Sequence, residues 1–162
     1  MPAIAPLTGF LALLSSGLMA GLFYGYSVSV IWGLDRADPR AAIDSFNGIN
    51  VAIINPLFLT VFMGVPVLAG LAAVLFWLSG QSVPMWLFVS AAVVYAVGTF
   101  GVTMVMNVPM NDALAKVAVP QDISAARQVW AGFTSGWMPC NHLRAAAATL
   151  SLLLAALGLY LA

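Results

Sequence analysis

The sequence predicts an all-α integral membrane protein, in which a single domain over residues 1–162 forms a bundle of four transmembrane helices. Of its 162 residues, 63% are hydrophobic and only 6% are charged, and the mean hydropathy is +1.04. An average soluble domain has roughly 25% charged residues, so most of this surface must face the lipid bilayer. The net charge is zero, which gives no basis for nucleic acid as a partner.

The first helix is predicted at about 6–33, because no charged residue precedes Asp35. This stretch is longer than the roughly 7–15 apolar residues at the centre of a removable signal peptide. We therefore expect a helix that stays in the membrane.

The remaining helices follow from the other uncharged stretches. The segment from Ser45 to Asn111 contains no charge and is too long for one span of about 20 residues. Turn residues at 79–84 divide it, and Pro56 and Pro66 are expected to bend its first half. The predicted helices are therefore at about 49–78, 84–107 and 139–161.

Four spans place both termini on one side of the membrane and both charged loops on the other. All five Lys and Arg residues lie in those loops or at the start of the last helix. The positive-inside rule then predicts that the loops are cytoplasmic and the termini outside, in a bacterial inner membrane. The five Trp residues fall near predicted helix ends, as in an interfacial aromatic belt.

Small residues form a stripe on one face of the first helix, where Gly17, Gly21, Gly25, Ser29 and Gly33 recur every four residues. In lipid, helices associate through close backbone packing. We expect Gly21 and Gly25 to abut another helix, either in the same chain or in a homo-oligomer.

Polar residues collect at one level, next to the charged face. They include Tyr24, Tyr26 and Ser27 in the first helix and asparagines at the facing ends of the others, at 47, 50, 55, 107, 111 and 141. A polar group that faces lipid is costly, so these side chains should point into the bundle and form a site. The simpler interpretation is that the asparagines only cap helix ends, and Pro109 would then end the third helix near Val108.

His142 and Arg144 are the titratable residues at this level in the last helix. His142 is the only histidine, and a general base here would be His142, a loop carboxylate or a tyrosine. One His and one Cys, Cys140, predict no metal site. Arg144 could snorkel to the interface, bind an anion, or pair with Asp44 or Asp112. It shares a helix face with Asn141 but not with His142, and recurs at seven-residue intervals with Trp130 and Trp137.

Four segments carry a resemblance to a known family. They are Gly-Leu-Phe-Tyr-Gly-Tyr-Ser-Val-Ser-Val (21–30), Phe-Asn-Gly-Ile-Asn-Val-Ala-Ile-Ile-Asn-Pro-Leu-Phe (46–58), Asn-Val-Pro-Met-Asn-Asp-Ala-Leu (107–114), and Trp130 followed by Trp137 and Asn-His-Leu-Arg (141–144). Together and in this order they resemble the anthrone oxygenase-like family of small four-helix membrane proteins, long filed as a domain of unknown function. Met138-Pro139-Cys140 departs from the family pattern and leaves the substrate open.

The resemblance implies a monooxygenase that oxidises an anthrone-like, flat aromatic substrate with molecular oxygen and without metal or flavin. An anthrone that loses a carbon-bound proton becomes electron-rich enough to reduce oxygen itself. The protein then supplies a base, a donor to the enolate oxygen and a dry pocket. On this hypothesis His142 is the base, and the catalytic group is His142, Asn107, Asn111, Asn141 and Arg144. The substrate-binding group is Tyr24, Phe46, Asn50, Asn55, Trp130 and Trp137.

Two alternatives remain open at this point. The chain could be a non-enzymatic membrane module that binds a quinone or a lipid. It could also be a haem protein with His142 as the single axial ligand.

Overall fold

The computed structural model describes residues 4–162, which form five helices. These are α1 (Ile4–Leu34), α2 (Pro39–Ile53), α3 (Pro56–Leu78), α4 (Ser82–Ala115) and α5 (Ile123–Tyr160). Helices α1, α3, α4 and α5 are long and apolar enough to cross a membrane. The chain is therefore an all-α integral membrane protein built on a four-helix bundle.

The four spanning helices pack as a ring. Helix α1 contacts α3 and α5, and α4 contacts the same two helices from the opposite corner. Close contacts occur where a side chain meets a glycine. A Cβ on Gly98 of α4 would lie 2.5 Å from the Cβ of Ala147 in α5, and Phe88 packs on Gly9 and Gly158.

The glycine stripe on α1 does not abut another helix of the same chain at Gly21 and Gly25, and its packing in a homo-oligomer stays a prediction. A Cβ added at Gly21 or Gly25 would meet no atom of residues 4–162 within 4 Å, so this face is open in the described part of the single chain. Gly17, in the same stripe, does approach a neighbour, because an added Cβ would lie 3.6 Å from Leu152 of α5. The bundle instead uses the opposite side of α1, where Ala12, Ser16 and Met19 are buried.

The predicted second helix is broken in two, and its first part begins ten residues earlier than expected. Asp38 caps α2 by accepting a hydrogen bond from the backbone N–H of Arg40. The Arg40 side chain also pairs with Asp38 at 2.6 Å and holds the pKa of that carboxyl at about 2. Asn55 is extended because Pro56 follows it, so α2 ends and a new helix begins.

The prediction that Pro109 ends the third helix is wrong, because α4 continues to Ala115. The preceding turns Ala96–Gly101 and Thr103–Asn107 are π-helical, and the backbone N–H of Val108 donates to the carbonyl of Thr103, five residues back. Proline normally clashes with the carbonyl four residues before it. The wider π-helical turn accommodates the Pro109 ring without ending the helix.

Helix α5 begins at Ile123, 16 residues before the predicted start of 139, and runs through Pro139. Its first turns pack on α2, where the Phe46 ring contacts Trp130, Phe133 and Trp137 at centroid distances of 5.9, 4.8 and 5.3 Å. Burying a large apolar side chain contributes about 1.5–3 kcal/mol, so this cluster offsets the roughly 3 kcal/mol cost of an internal proline. Trp130 and Trp137 thus lie inside the protein, whereas Trp32, Trp77 and Trp86 are exposed as the aromatic belt predicts.

Candidate functional site

A cavity of about 340 Å³ lies inside the bundle beside the break between α2 and α3. This volume is at the lower end of the roughly 300–1,000 Å³ that is typical of small-molecule sites. Its walls come from all five helices and are mainly apolar. The lining residues are Leu22, Phe23, Tyr26, Asn50, Ile53, Ile54, Phe58, Leu59, Phe62, Thr103, Met104, Val108, Asn111, Asp112, Trp137 and Arg144.

A larger space of about 530 Å³ lies between the ends of α3 and α4 at the opposite membrane face. It is bordered by Trp77 and Trp86, which are 64% and 63% exposed, together with Met85 and Val89. This space is a shallow depression that faces the lipid, and within residues 4–162 its lining has a single polar side chain, that of Ser82. The cavity beside α2 is the better candidate for a functional site.

Arg144 supplies the only cationic side chain in the cavity lining within residues 4–162. It is 6% exposed, and its guanidinium carbon lies 4.5 Å from the ring centroid of Phe23 and 5.1 Å from that of Trp137. Nη2 donates to Asn141 Oδ1 at 2.8 Å, and Nη1 donates to Thr103 Oγ1 at 3.3 Å. Arg144 therefore neither snorkels nor pairs with Asp44 or Asp112.

The guanidinium is left with capacity for a ligand. Among the described residues no carboxylate forms a salt bridge with Arg144, and its buried Nε has no hydrogen-bond partner. An unpaired cation within a membrane-spanning helix costs about 2.5–3.5 kcal/mol or more. Residues with such a cost are typical of functional sites, and the chemistry that fits this one is an anionic or strongly polarised oxygen.

A second polar chain crosses the cavity wall. Trp137 Nε1 donates to Asn111 Oδ1 at 2.9 Å, and Asn111 Nδ2 donates to Asn50 Oδ1 at 3.2 Å. These bonds join α5, α4 and α2 around the cavity. Asn50 lines the cavity, and its Nδ2 group is buried without a hydrogen-bond partner within residues 4–162.

The prediction that His142 faces the internal pocket is wrong. Its side chain is exposed on α5 and does not line the cavity. Its Nδ1 lies 3.0 Å from Ser27 Oγ on α1. Arg144 is two residues further along, so on a helix the two side chains point about 200° apart.

The two other predicted amides differ in their surroundings. Asn141 is fully buried beside Arg144 and donates from Nδ2 to Ser27 Oγ and to the Phe23 carbonyl, each at 2.9 Å. It positions Arg144 but does not line the cavity. Asn107 is also fully buried outside the lining, and neither polar atom of its side chain has a partner within residues 4–162.

The predicted substrate-binding residues are only partly brought together. Of these six residues, Asn50 and Trp137 line the cavity, whereas Tyr24, Phe46, Asn55 and Trp130 do not. Tyr24 is 61% exposed, and Asn55 caps α3 by accepting from the backbone N–H of Phe58. Phe46 and Trp130 belong to the aromatic cluster between α2 and α5, where Trp130 Nε1 donates to Asp35 Oδ1 at 2.7 Å.

Several lining residues are missing from the predicted site. Phe23, Phe58 and Phe62 form the apolar wall, with Phe58 and Phe62 stacked at a centroid distance of 5.2 Å. The spacing of four residues between Phe58 and Phe62 puts both on one helix face at the depth of the polar cluster, and this pattern could have identified them. Asp112 lies in the lining because α4 continues past Pro109, which the sequence did not indicate.

The mouth of the cavity is marked by lining residues that are also exposed. Ile54, Leu59 and Met104 are 70%, 41% and 49% exposed, and Asp112 is exposed nearer the charged loops. The rim is therefore apolar towards the bilayer and acidic towards the charged face. Within residues 4–162, no three His, Cys, Asp or Glu side chains come close enough together to hold a metal ion.

Comparison with known proteins places this chain in a family. No curated protein and no solved structure matches it. The family model for anthrone oxygenase matches residues 58–154, more than half of the 162 residues. The matched part runs from α3 through most of α5 and contains Asn111, Trp137 and Arg144. The chain is therefore a member of the anthrone oxygenase family.

Proposed function

We propose that this protein is an oxygenase that oxidises a flat, anthrone-like aromatic substrate bound in the cavity beside the break between α2 and α3. The observation that carries this proposal is the guanidinium of Arg144, which is buried among aromatic rings and has no carboxylate partner within residues 4–162. A flat polycyclic ketone has the apolar faces that such walls accept. It also has one oxygen that becomes anionic when the substrate loses a proton.

Arg144 and Asn50 are the groups that would stabilise this anion. The Nε of Arg144 and the Nδ2 of Asn50 are buried donors without partners among the described residues, and both residues line the cavity. Donors that are fixed in a water-poor site stabilise developing charge far more than they would in water. Such stabilisation of the enolate favours loss of the carbon-bound proton.

Asp112 replaces His142 as the proposed general base. It is the only carboxylate in the cavity lining within residues 4–162, whereas His142 lies outside the cavity. A general base must reach the proton that it abstracts, so position decides between these two residues. Because Asp112 is exposed at the mouth, it can pass the proton on to water.

The reaction balances with oxygen as the only co-substrate. The base removes one carbon-bound proton, and the resulting anion transfers an electron to oxygen, giving a substrate radical and superoxide. These combine through a new carbon–oxygen bond to form a peroxide, which takes up a proton. Loss of the second hydrogen from the same carbon as a proton then breaks the oxygen–oxygen bond. The products are a quinone carbonyl and one water molecule.

An apolar substrate would enter this cavity from the bilayer. The exposed rim residues Ile54, Leu59 and Met104 are all apolar and lie on the spanning part of the bundle or at the helix break. Molecules that partition into lipid reach such a rim without crossing water. The partners proposed for the chain are thus the bilayer, a hydrophobic aromatic molecule and molecular oxygen.

The test is oxygen consumption and quinone formation by the purified protein in lipid nanodiscs supplied with anthrone. We expect turnover above that of empty nanodiscs, and loss of a general base typically lowers the rate by about 10²–10⁴. Asp112→Asn should show that loss, whereas Asp44→Asn, an exposed position on α2 outside the cavity, should not. Quinone binding without turnover would instead favour the non-enzymatic module. A haem absorption band in the purified protein would favour the haem alternative and contradict the proposal.

A further inference from the structure

His142 is connected to the cavity by three consecutive hydrogen bonds. Its Nδ1 lies 3.0 Å from Ser27 Oγ, Asn141 Nδ2 donates to that same oxygen at 2.9 Å, and Arg144 Nη2 donates to Asn141 Oδ1 at 2.8 Å. Ser27, Asn141 and Arg144 are 6%, 0% and 6% exposed, whereas His142 is exposed. The chain therefore leads from the outer surface of the bundle to the guanidinium that lines the cavity.

Ser27 transmits the orientation of the His142 ring to the Asn141 amide through its hydroxyl group. Its oxygen accepts from Asn141, and the hydroxyl keeps one proton and a second lone pair for the contact with His142 Nδ1. In either tautomer the imidazole sets the rotation of the hydroxyl, and this rotation determines which lone pair is directed at Asn141. Asn141 also donates to the Phe23 carbonyl, which anchors its amide plane on α1.

The orientation of Arg144 depends strongly on Asn141. The bond to Asn141 is short at 2.8 Å, whereas the contact with Thr103 is long at 3.3 Å. Thr103 is in turn held by its own bond to the Thr99 carbonyl at 2.7 Å. The rings of Phe23 and Trp137 confine the guanidinium plane but supply no directional bond. Rotation of the Asn141 amide would therefore turn the guanidinium within the cavity.

We propose that His142 is a positioning residue, which acts through Ser27 and Asn141 to aim Arg144 at the substrate oxygen. This inference rests on the proposed function for its effect on catalysis, but the orientation of Arg144 can be measured without substrate. It assigns a role to the single histidine that is different from that of a base. It also explains why His142, which lies outside the cavity, is linked through Ser27 of α1 to the buried residues Asn141 and Arg144.

The experiment compares Ser27→Ala, His142→Ala and His142→Asn in the full-length protein. The amide of Asn can present an acceptor near the position of Nδ1 but cannot act as a base near neutral pH. The first readout is the Nε–H nuclear magnetic resonance signal of Arg144 in protein labelled with ¹⁵N-arginine and free of ligand. The chain has four arginines, and Arg144→Lys identifies the signal of interest. Gln128→Ala, an exposed change on α5, is the control.

We expect Ser27→Ala and His142→Ala to shift or broaden the Arg144 signal, and His142→Asn to restore it. With anthrone as substrate, kcat/KM should fall about two- to twelvefold in both alanine variants, the value of one neutral hydrogen bond, and recover in His142→Asn. An unchanged Arg144 signal in both alanine variants would overturn the inference. So would a loss of about 10²–10⁴ in both His142 variants, because that would make His142 the base. Absence of turnover in the wild-type protein would count against the proposed function alone.

Discussion

Replacing Arg144 with methionine should separate function from stability. Methionine keeps an unbranched apolar stem that can pack between Phe23 and Trp137, but it removes the guanidinium from the cavity. If Arg144 serves to bind an anionic oxygen, its loss should lower activity much more than it lowers the free energy of unfolding.

The expected change in stability is small because opposing contributions nearly cancel. The short bond from Nη2 to Asn141 contributes about 1.5–3 kcal/mol, and a desolvated cation on an aromatic ring contributes about 2 kcal/mol. Removing the charge from a spanning helix returns about 2.5–3.5 kcal/mol. The free energy of unfolding of Arg144→Met should therefore be lower than the wild-type value by between about 0 and 2.5 kcal/mol.

The expected change in activity is larger. Removing one fixed donor to a developing oxyanion typically costs about 10²–10³ in kcat. Oxygen uptake with anthrone measures this loss, and thermal unfolding in the same detergent measures stability. Arg127→Met is the matched control, since Arg127 is exposed in the same helix outside the cavity. A folded Arg144→Met protein with activity within threefold of the wild type would refute the proposed role, and so would a variant that fails to fold.

Two further predictions follow from the packing and the charge distribution. Gly98→Ala should destabilise the bundle by about 1–3 kcal/mol, because the new Cβ would lie 2.5 Å from that of Ala147. Gly21→Ala meets no described atom within 4 Å and should be neutral or stabilising by up to about 1 kcal/mol. Denaturation of both variants as monomers in detergent micelles measures this, and equal losses of stability would show that the stripe on α1 is packed. In a Cys140→Ala background, a thiol reagent applied from the cytoplasm should label Ala41→Cys and Ala118→Cys but not Ser82→Cys. The reason is that all Lys and Arg residues lie on the side of Ala41 and Ala118. Labelling of Ser82→Cys alone would show the inverted topology.

The fold class and the depth of the site could be predicted because both depend on composition along the chain. Uncharged stretches identified the spanning helices, and the cost of polar groups in lipid placed a site near the charged face. Arg144, Asn111, Asn50 and Trp137 are found there. The helix ends were less predictable, because the π-helical turns that let α4 pass Pro109 leave no clear pattern in the sequence.

The error over His142 was avoidable. Trp130, Trp137 and Arg144 recur at seven-residue intervals, and the same recurrence continues through Ser151 and Gly158, all of which are buried. This stripe defines the inner face of α5 and excludes His142, which lies two residues before Arg144. Chemical reactivity favoured His142 as the base, but the periodicity of the helix determines which side chains reach the cavity.

The orphan donors could not be predicted at all. Whether Asn50 Nδ2 and Arg144 Nε find hydrogen-bond partners depends on how α2, α4 and α5 pack together around the cavity. No spacing within one helix contains this information. The three-dimensional arrangement was therefore needed to show that Arg144 is buried beside the cavity and does not snorkel to the interface.

The most direct test of this account is to locate the bound aromatic molecule. An azido-anthraquinone can be photolysed in nanodiscs that contain the protein, and the labelled residues can be identified by mass spectrometry. The account predicts labelling of Phe58, Phe62 or Trp137 that is abolished by excess anthraquinone and reduced in Arg144→Met. Labelling confined to lipid-exposed residues such as Leu57 and Trp77, unaffected by competitor, would contradict a substrate site in this cavity.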